Sequence, residues 1–319
     1  MPYSRYYRSR LPEKEKAAYD ALCAGFEAGQ GEIDLPPSGT GDLNRLMYAV
    51  KYDNPQFFYV DCRITVVTGP ARTSARVNYR TDAAETARRK REITAEAAPI
   101  ISSLRTKSQG EKALYLHDRL VRRCSYGEVP GREADAHTIA GALLDNICVC
   151  EGYAMAYKYL ADLAGVRCMT VCGEGVHPDG TRGPHAWNLV MTDGKCSHVD
   201  VTFDQLLAGR YCSRAYYGLS DAELLADHTI DPVFPVPSCP ESQSFLPVIS
   251  GTDRLIEFMR KEAGSGAALS QARLTKGFTL DELTEMVHRK LSIDDYAWYR
   301  KLGSYVYAEK SRVLSLVWK

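Results

Sequence analysis

With 319 residues, 45% hydrophobic and 25% charged, the chain has the composition of a soluble globular protein and the length of two or three domains. Its 40 Lys and Arg are balanced by 40 Asp and Glu, which excludes a strongly basic surface for nucleic acid or an anionic membrane. No run of about 18 apolar residues is present, and the opening MPYSRYYRSRLPEKEK has no apolar signal-peptide core, so the expected location is cytoplasmic.

Residues 12–28 read as a helix, with Ala17, Leu22 and Phe26 marking an apolar stripe. Residues 29–41 read as a loop. A second helix over 43–52 carries Leu43, Leu46, Met47 and Val50 at helical spacing, and Pro55 ends it by disfavouring helix at the preceding residue. Residues 57–67 and 75–79 read as a strand pair across a Gly69-Pro70 turn. A long charged helix over 82–104 contains Pro99, where a kink or break is expected. Its basic run Arg88-Arg89-Lys90-Arg91 is interleaved with Glu85, Glu92 and Glu96, the pattern of a solvated face. Residues 1–104 thus form an N-terminal α+β region without recognisable chemistry.

A helix over 110–121 follows, with His117 read as a packing or polar-contact residue, then a loop over 125–136. Asp145-Asn146 is a turn signal. Beyond it, Cys150 starts a helix whose stripe is Tyr153, Tyr157, Leu160 and Ala164, stopped by Gly165. A thiol at a helix start meets unpaired N–H groups and the positive end of the helix dipole, which favour a thiolate. Taken alone, Cys150 reads as a small buried residue. Residues 166–171 read as a strand, and 173–184 as a Gly-rich loop with an exposed His177. It lacks the Gly-Lys-Ser/Thr of a phosphate loop.

Residues 185–192 and 195–203 read as a hairpin around Asp193-Gly194, since both turn positions need φ > 0. A two-residue turn pairs Thr192 with Lys195, hence His185 with Thr202 and Trp187 with Asp200. His185 and Asp200 then share a face as diagonal neighbours roughly 7–8 Å apart. A one-residue slip would separate them. A cysteine nucleophile needs a base, and the base an orienting group, so Cys150, His185 and Asp200 can form one catalytic unit.

Five prolines between 232 and 247 mark 231–250 as an extended linker. A small α+β appendage over 251–319 follows. It has a helix over 253–262, a strand over 267–274, a capping box at Thr279–Glu282 opening a helix to 291, and a closing hairpin at 305–307 and 313–318. The ten cysteines are scattered and read as mostly reduced. Cys148, Cys150, Cys168 and Cys172 lack the C-x2-C spacing of common zinc sites, and no EF-hand loop is present.

Three blocks carry a family resemblance: Cys150-Glu-Gly-Tyr-Ala154, His185-Ala-Trp-Asn188 and Asp200-Val-Thr-Phe-Asp204. Together they resemble the transglutaminase-like superfamily of the papain-like cysteine-enzyme fold, bacterial type, over roughly residues 110–230. The family often has Trp where Phe203 stands. The resemblance implies an α+β fold, with a catalytic core over 105–230 in which the nucleophile helix packs on an antiparallel sheet. It makes Cys150 the nucleophile, His185 the base and Asp200 the orienting carboxylate. The implied chemistry is thiol acyl transfer on carboxamide or peptide bonds through a thioester, with hydrolysis favoured over cross-linking. An amine transferase and a non-catalytic binding module are the alternatives. Tyr126 or Asn146 would supply the second oxyanion donor, and Trp187, Gly183 and Gly152 would lie at the cleft rim. No metal or organic cofactor is required, and the expected partner is a protein or peptide substrate.

Overall fold

Charged and apolar residues recur at helical spacing over 12–28 and 43–52, and the structure opens accordingly with helices. In the computed structural model, which describes residues 5–36, 41–69, 72–176, 180–208 and 211–319, these are α1 (Tyr6–Arg10), α2 (Glu13–Ala28) and α3 (Leu43–Asp53). His177 and Pro70 lie outside the described residues. α2 buries Ala18, Tyr19, Leu22 and Phe26 and ends at Gly29 in the left-handed region, φ 67°. Between α2 and α3, where a loop was expected, β1 (Glu32–Leu35) pairs with β3 (Thr73–Tyr79), which also pairs with β2 (Val60–Thr68). Only Ile33 and Leu35 of β1 face inward, too few for alternation to stand out among glycines. α4 (Ala83–Ser103) runs through Pro99 as one element.

The core follows. α5 (Gln109–Arg123) starts from a capping box of Ser108 and Glu111. The stretch read as a loop holds β4 (Ser125–Tyr126) and α6 (Glu133–Ala136). β5 (Ile147–Cys148) pairs in parallel with β4 and leads into α7 (Cys150–Ala164). Gly165, φ 74°, ends α7, as the sequence predicts. Tyr153, Tyr157 and Leu160 are fully buried, and α7 packs on β6 (Arg167–Val176) and β7 (Arg182–Thr192). These two strands take up most of the stretch read as a Gly-rich loop. Glycine is disfavoured in strands, but here it lets other groups come close. A Cβ on Gly173 would lie 1.8 Å from the Thr229 carbonyl, and one on Gly175 3.0 Å from the Phe203 ring.

β7 pairs with β8 (Lys195–Val199) in the expected register, Thr192 opposite Lys195. Asp193 and Gly194 have φ 52° and 78°, both in the left-handed region as the turn requires. The second strand, however, stops at Val199, and α8 (Val201–Ala208) begins two residues later. β9 (Tyr217–Leu219), α9 (Asp221–Leu224) and β10 (His228–Ile230) complete the unit. The sheet order is β10-β6-β7-β8-β9, antiparallel throughout.

The proline-dense stretch is extended but packed on the core. Phe234 sits against Tyr7 and Tyr48, Gln243 donates its N–H to the Gly218 carbonyl (2.7 Å), and Cys239 is disulfide-bonded to Cys196. The other eight cysteines are free. Prolines set the backbone shape there, while Phe234 and Cys239 supply the apolar contacts that hold it down. Beyond it lie β11 (Val248–Ile249), α10 (Thr252–Glu262), β12 (Leu269–Leu274), α11 (Leu280–Lys290), α12 (Tyr296–Tyr299), β13 (Leu302–Ala308) and β14 (Val313–Trp318). They form the sheet β11-β12-β14-β13 with its own apolar cluster, including Leu255, Met259, Leu283 and Leu316. Among the described residues, no helix is long and apolar enough to cross a membrane.

Candidate active site

Cys150 is the first residue of α7, and the residue before it, Val149, offers no side-chain cap. The early N–H groups of α7 therefore have no capping side chain at the position where an anion is favoured. Cys148, two residues earlier, is fully buried, whereas Cys150 is half-buried.

His185 and Asp200 come together, more closely than diagonal strand neighbours would. His185 Nε2 lies 2.7 Å from Asp200 Oδ2, with both side chains buried. The strand ends at Val199 because Asp200 turns its other oxygen to the start of α8, where Oδ1 accepts from the N–H groups of Thr202 (3.0 Å) and Phe203 (3.1 Å). Thr202 is therefore helical and does not face His185, whose ladder partner is Gly173 of β6. The capped carboxylate can aim Oδ2 at the imidazole.

The His185 ring is packed between Phe203, 4.6 Å away, and Trp187, stacked at 6.1 Å. Burial pushes its pKa down. The charge of Asp200 and its hydrogen bond, followed by the hydrogen bond and charge of Cys150, outweigh burial and raise it to about 10. Asp200 is driven the other way. Burial opposes its charge, but His185 and then His228 hold it well below the usual carboxylate range. With Nε2 on Asp200, Nδ1 is the ring nitrogen that can serve the Cys150 thiol.

The remaining sequence candidates divide. Tyr126 on β4 pairs in register with Cys148 and is 42% exposed, and burial and then the charge of Cys150 raise its hydroxyl pKa. It therefore stands near the thiol. Asn146 is a turn residue, φ 56°, and its side-chain oxygen accepts from Arg123 Nε. That bond ties the Asn146 side chain to the end of α5. Trp187 is 1% exposed and donates Nε1–H to His198 Nδ1 (3.1 Å), so it belongs to the core and not to a rim. Gly152 is also buried. A Cβ there would meet the Ala136 carbonyl at 2.2 Å, so its role is close packing of the first turn of α7. Gly183 lies in β7 opposite Gly175, in a strand rather than a loop. His117 is buried between Asp118 (3.1 Å) and Asp204 (3.0 Å), a polar contact as read from the sequence.

Two features escaped the sequence. Glu151, next to the nucleophile, takes Lys51 Nζ at 2.5 Å, the Tyr52 hydroxyl at 2.7 Å and His137 Nδ1 at 3.1 Å. Burial alone would raise its pKa, but His137 and Lys51 hold it at about 2. The second is His228, whose Nε2 lies 3.1 Å from Asp200 Oδ2 and whose Nδ1 lies 2.6 Å from Asp227 Oδ1. Asp227-His228 was visible as a dipeptide, but its place depends on β10 joining the edge of the sheet.

Ligating atoms also approach one another at His198, Asp221 and Cys239. There His198 Nδ1 accepts from Trp187, so Nε2 carries the proton facing Asp221, and Cys239 is in the disulfide. That donor set does not fit a metal ion. At His117, Asp118 and Cys212, both ring nitrogens face carboxylates, and Arg214 is paired with Asp118.

The core has the α+β arrangement that the sequence resemblance implies: a helix led by the cysteine, packed on an antiparallel sheet that carries the histidine, with the aspartate at a strand end. No family model and no curated protein matches the chain. Similar solved structures include one described as a TGase, at 12% identity and TM-score 0.31, covering 44% of this chain and 44% of that one. Another is the periplasmic domain of TgpA from Pseudomonas aeruginosa, at 18% identity and TM-score 0.28, covering 42% of this chain and 54% of that one. The same domain bound to ethylmercury gives 20% identity and TM-score 0.27, covering 41% and 55%. This chain spans about half the length of the solved chains it matches.

Proposed function

We propose that the protein is a thiol acyl-transfer enzyme that hydrolyses a carboxamide or peptide bond in a protein or peptide. The observation that carries this reading is the buried 2.7 Å pair of His185 and Asp200, with Cys150 as the next hydrogen-bonding neighbour of that imidazole. Cys150 Sγ attacks the carbonyl carbon, and the electron pair moves onto oxygen. The Cys150 backbone N–H and the Tyr126 hydroxyl stabilise that oxyanion. As the C–N bond breaks, His185 gives its proton to the departing amine and leaves a thioester on Cys150. Neutral His185 then takes a proton from water, whose oxygen attacks the thioester. The acid departs, and the proton returns the thiol–imidazole pair to its starting state. Asp200 keeps the imidazole in the tautomer and orientation that both halves need.

The test is brief iodoacetamide treatment of the folded protein at about pH 6, followed by peptide mapping. An ordinary thiol, with a pKa of about 8.5, is under about one per cent ionised there, so Cys150 should be labelled first and His185→Ala should slow the labelling. Early labelling of another thiol, or no effect of His185→Ala, would refute the pair. A peptide-carboxamide library with and without a primary amine, read by mass, then separates the outcomes. Free acid supports hydrolysis, an amine adduct means transfer, and unreactive Cys150 means a binding module.

A further inference from the structure

Asp200 stands between two histidines. Its Oδ2 meets His185 Nε2 at 2.7 Å and His228 Nε2 at 3.1 Å. Beyond His228, Asp227 Oδ1 lies 2.6 Å from Nδ1, and Asp227 Oδ2 accepts from the Tyr216 hydroxyl at 2.5 Å. All these side chains are buried. An ionised carboxylate only accepts, so two carboxylate contacts on one imidazole are both hydrogen bonds only when both of its nitrogens carry protons. His228 is thus placed as a buried imidazolium between Asp227 and Asp200.

We propose that His228 is a positioning residue for this site: held by Asp227, it fixes the Asp200 carboxylate toward His185 and sets the pH range over which Cys150 and His185 are both charged. The inference rests on the thiol-enzyme reading above. Three features of the fold support it. β10, which carries His228, is the edge strand of the sheet, and His228 meets Oδ2, the Asp200 oxygen that does not cap α8. Gly173 and Gly175 of β6 carry no side chain where β10 and the His185 ring approach, as a Cβ there would lie 1.8 Å from the Thr229 carbonyl or 3.3 Å from His185. The Asp200 carboxylate is also fully committed, with two helix N–H groups on Oδ1 and two imidazoles on Oδ2. It has no free rotation with which to drift from His185.

The groups facing His228 are Asp227 beside it, Tyr216 from the stretch before β9, Asp200 and Phe203 at the start of α8, His185 and Trp187 from β7, and His198 from β8, which the His228 charge reaches. Burial lowers the His228 pKa, and Asp200 and then Asp227 outweigh that and raise it. A fixed positive charge at this place disfavours protons on its neighbours. Removing it should therefore raise both the pH at which Cys150 becomes a thiolate and the pH at which His185 loses its proton.

The experiment is the pH profile of iodoacetamide alkylation at Cys150 in wild type, His185→Ala and His228→Gln. Wild type with its low-pH limb, lost in His185→Ala, establishes the thiol unit by itself. His228→Gln keeps a hydrogen-bond donor without the charge. The proposal expects both limbs to move up, the His185 limb by about one unit for a charge whose ring lies 5.3 Å from that imidazole. A merely structural residue would lower folded yield and leave both limbs in place. Folded His228→Gln with unmoved limbs overturns the proposal even when wild type behaves as stated. Where that variant does not fold, the 15N spectrum of histidine-labelled wild type decides. His228 still protonated on both ring nitrogens just above the ordinary histidine value of about 6.5 is the expected result, and a single proton there overturns the proposal.

Discussion

Replacing Asp200 by Asn separates its two roles. Asn keeps an oxygen for the Thr202 and Phe203 N–H groups, so α8 should still be capped, but it loses the charge that supports the His185 imidazolium. Turnover should fall by about 10²–10⁴-fold, the upper end being the loss in a serine triad and the lower end reflecting a partly preformed thiolate. Asp204→Asn is the control. Asp204 contacts His117, Ser213 and the Tyr216 N–H, so its loss should appear first in stability. A larger loss of turnover in Asp204→Asn than in Asp200→Asn would contradict the assignment. The same histidine sets a pH signature. Its folded pKa, about 10, lies above the ordinary 6.5. The native state therefore holds a proton that the unfolded state has released between those values, and His185 contributes stability fully below about pH 6.5 that is lost as pH rises toward 10. Thermal melts between about pH 8.5 and 10, where an unfolded thiol has itself ionised and no longer offsets the His185 proton, should show Tm falling, and falling less in His185→Ala. Parallel melting curves would show that His185 carries no excess proton.

At the level of elements, the sequence was informative where a single local rule governed the outcome. Asp193-Gly194 set the hairpin register because both positions must adopt φ > 0. Tyr153, Tyr157 and Leu160 with Gly165 set α7 for the same kind of local reason. Local rules mislead where one side chain or a distant strand decides. Val201–Phe203 looked like strand until Asp200 capped them as helix. Gly173 and Gly175 looked like loop because the closely approaching β10 lies some fifty residues away in the chain. Placing Trp187 and Gly152 at a rim assumed that neighbours of the reactive residues face solvent, whereas both serve packing. Gly152 gives this a measurable form. A Cβ 2.2 Å from the Ala136 carbonyl and 2.7 Å from Cys148 Cβ cannot be accommodated by a flexible side chain, since the first obstacle is backbone. Gly152→Ala should cost about 1–3 kcal/mol in urea unfolding. A change below about 0.5 kcal/mol, the size usual for a surface position, would return Gly152 to the rim.

The three parts of the molecule are joined through buried polar contacts as well as apolar ones. On one side, Lys51 and Tyr52 of α3 end on Glu151, the residue after the nucleophile. On the other, the C-terminal unit reaches the core through β12. Gln271 Nε2 donates to Ser213 Oγ (2.9 Å) and Ser315 Oγ (2.8 Å), and its Oε1 accepts from the Arg214 N–H (2.9 Å). Arg273 adds contacts to the Ala215 carbonyl and Glu223. Few contacts are expected between units joined by a linker; these cross directly and do not run along the proline-dense stretch. Ser213 also donates to Asp204, which holds His117 under α8, so a change at Gln271 is felt inside the core. Gln271→Ala would leave the Arg214 N–H and two hydroxyls without this partner, a cost of about 1–3 kcal/mol. The expected result is a lower Tm with the pH 6 labelling of Cys150 preserved, because His185 and Asp200 make none of these contacts. Unchanged Tm would mean that the polar contacts at this boundary are replaced by water at no cost. Loss of labelling in a folded Gln271→Ala protein would mean that the C-terminal unit completes the reactive site itself.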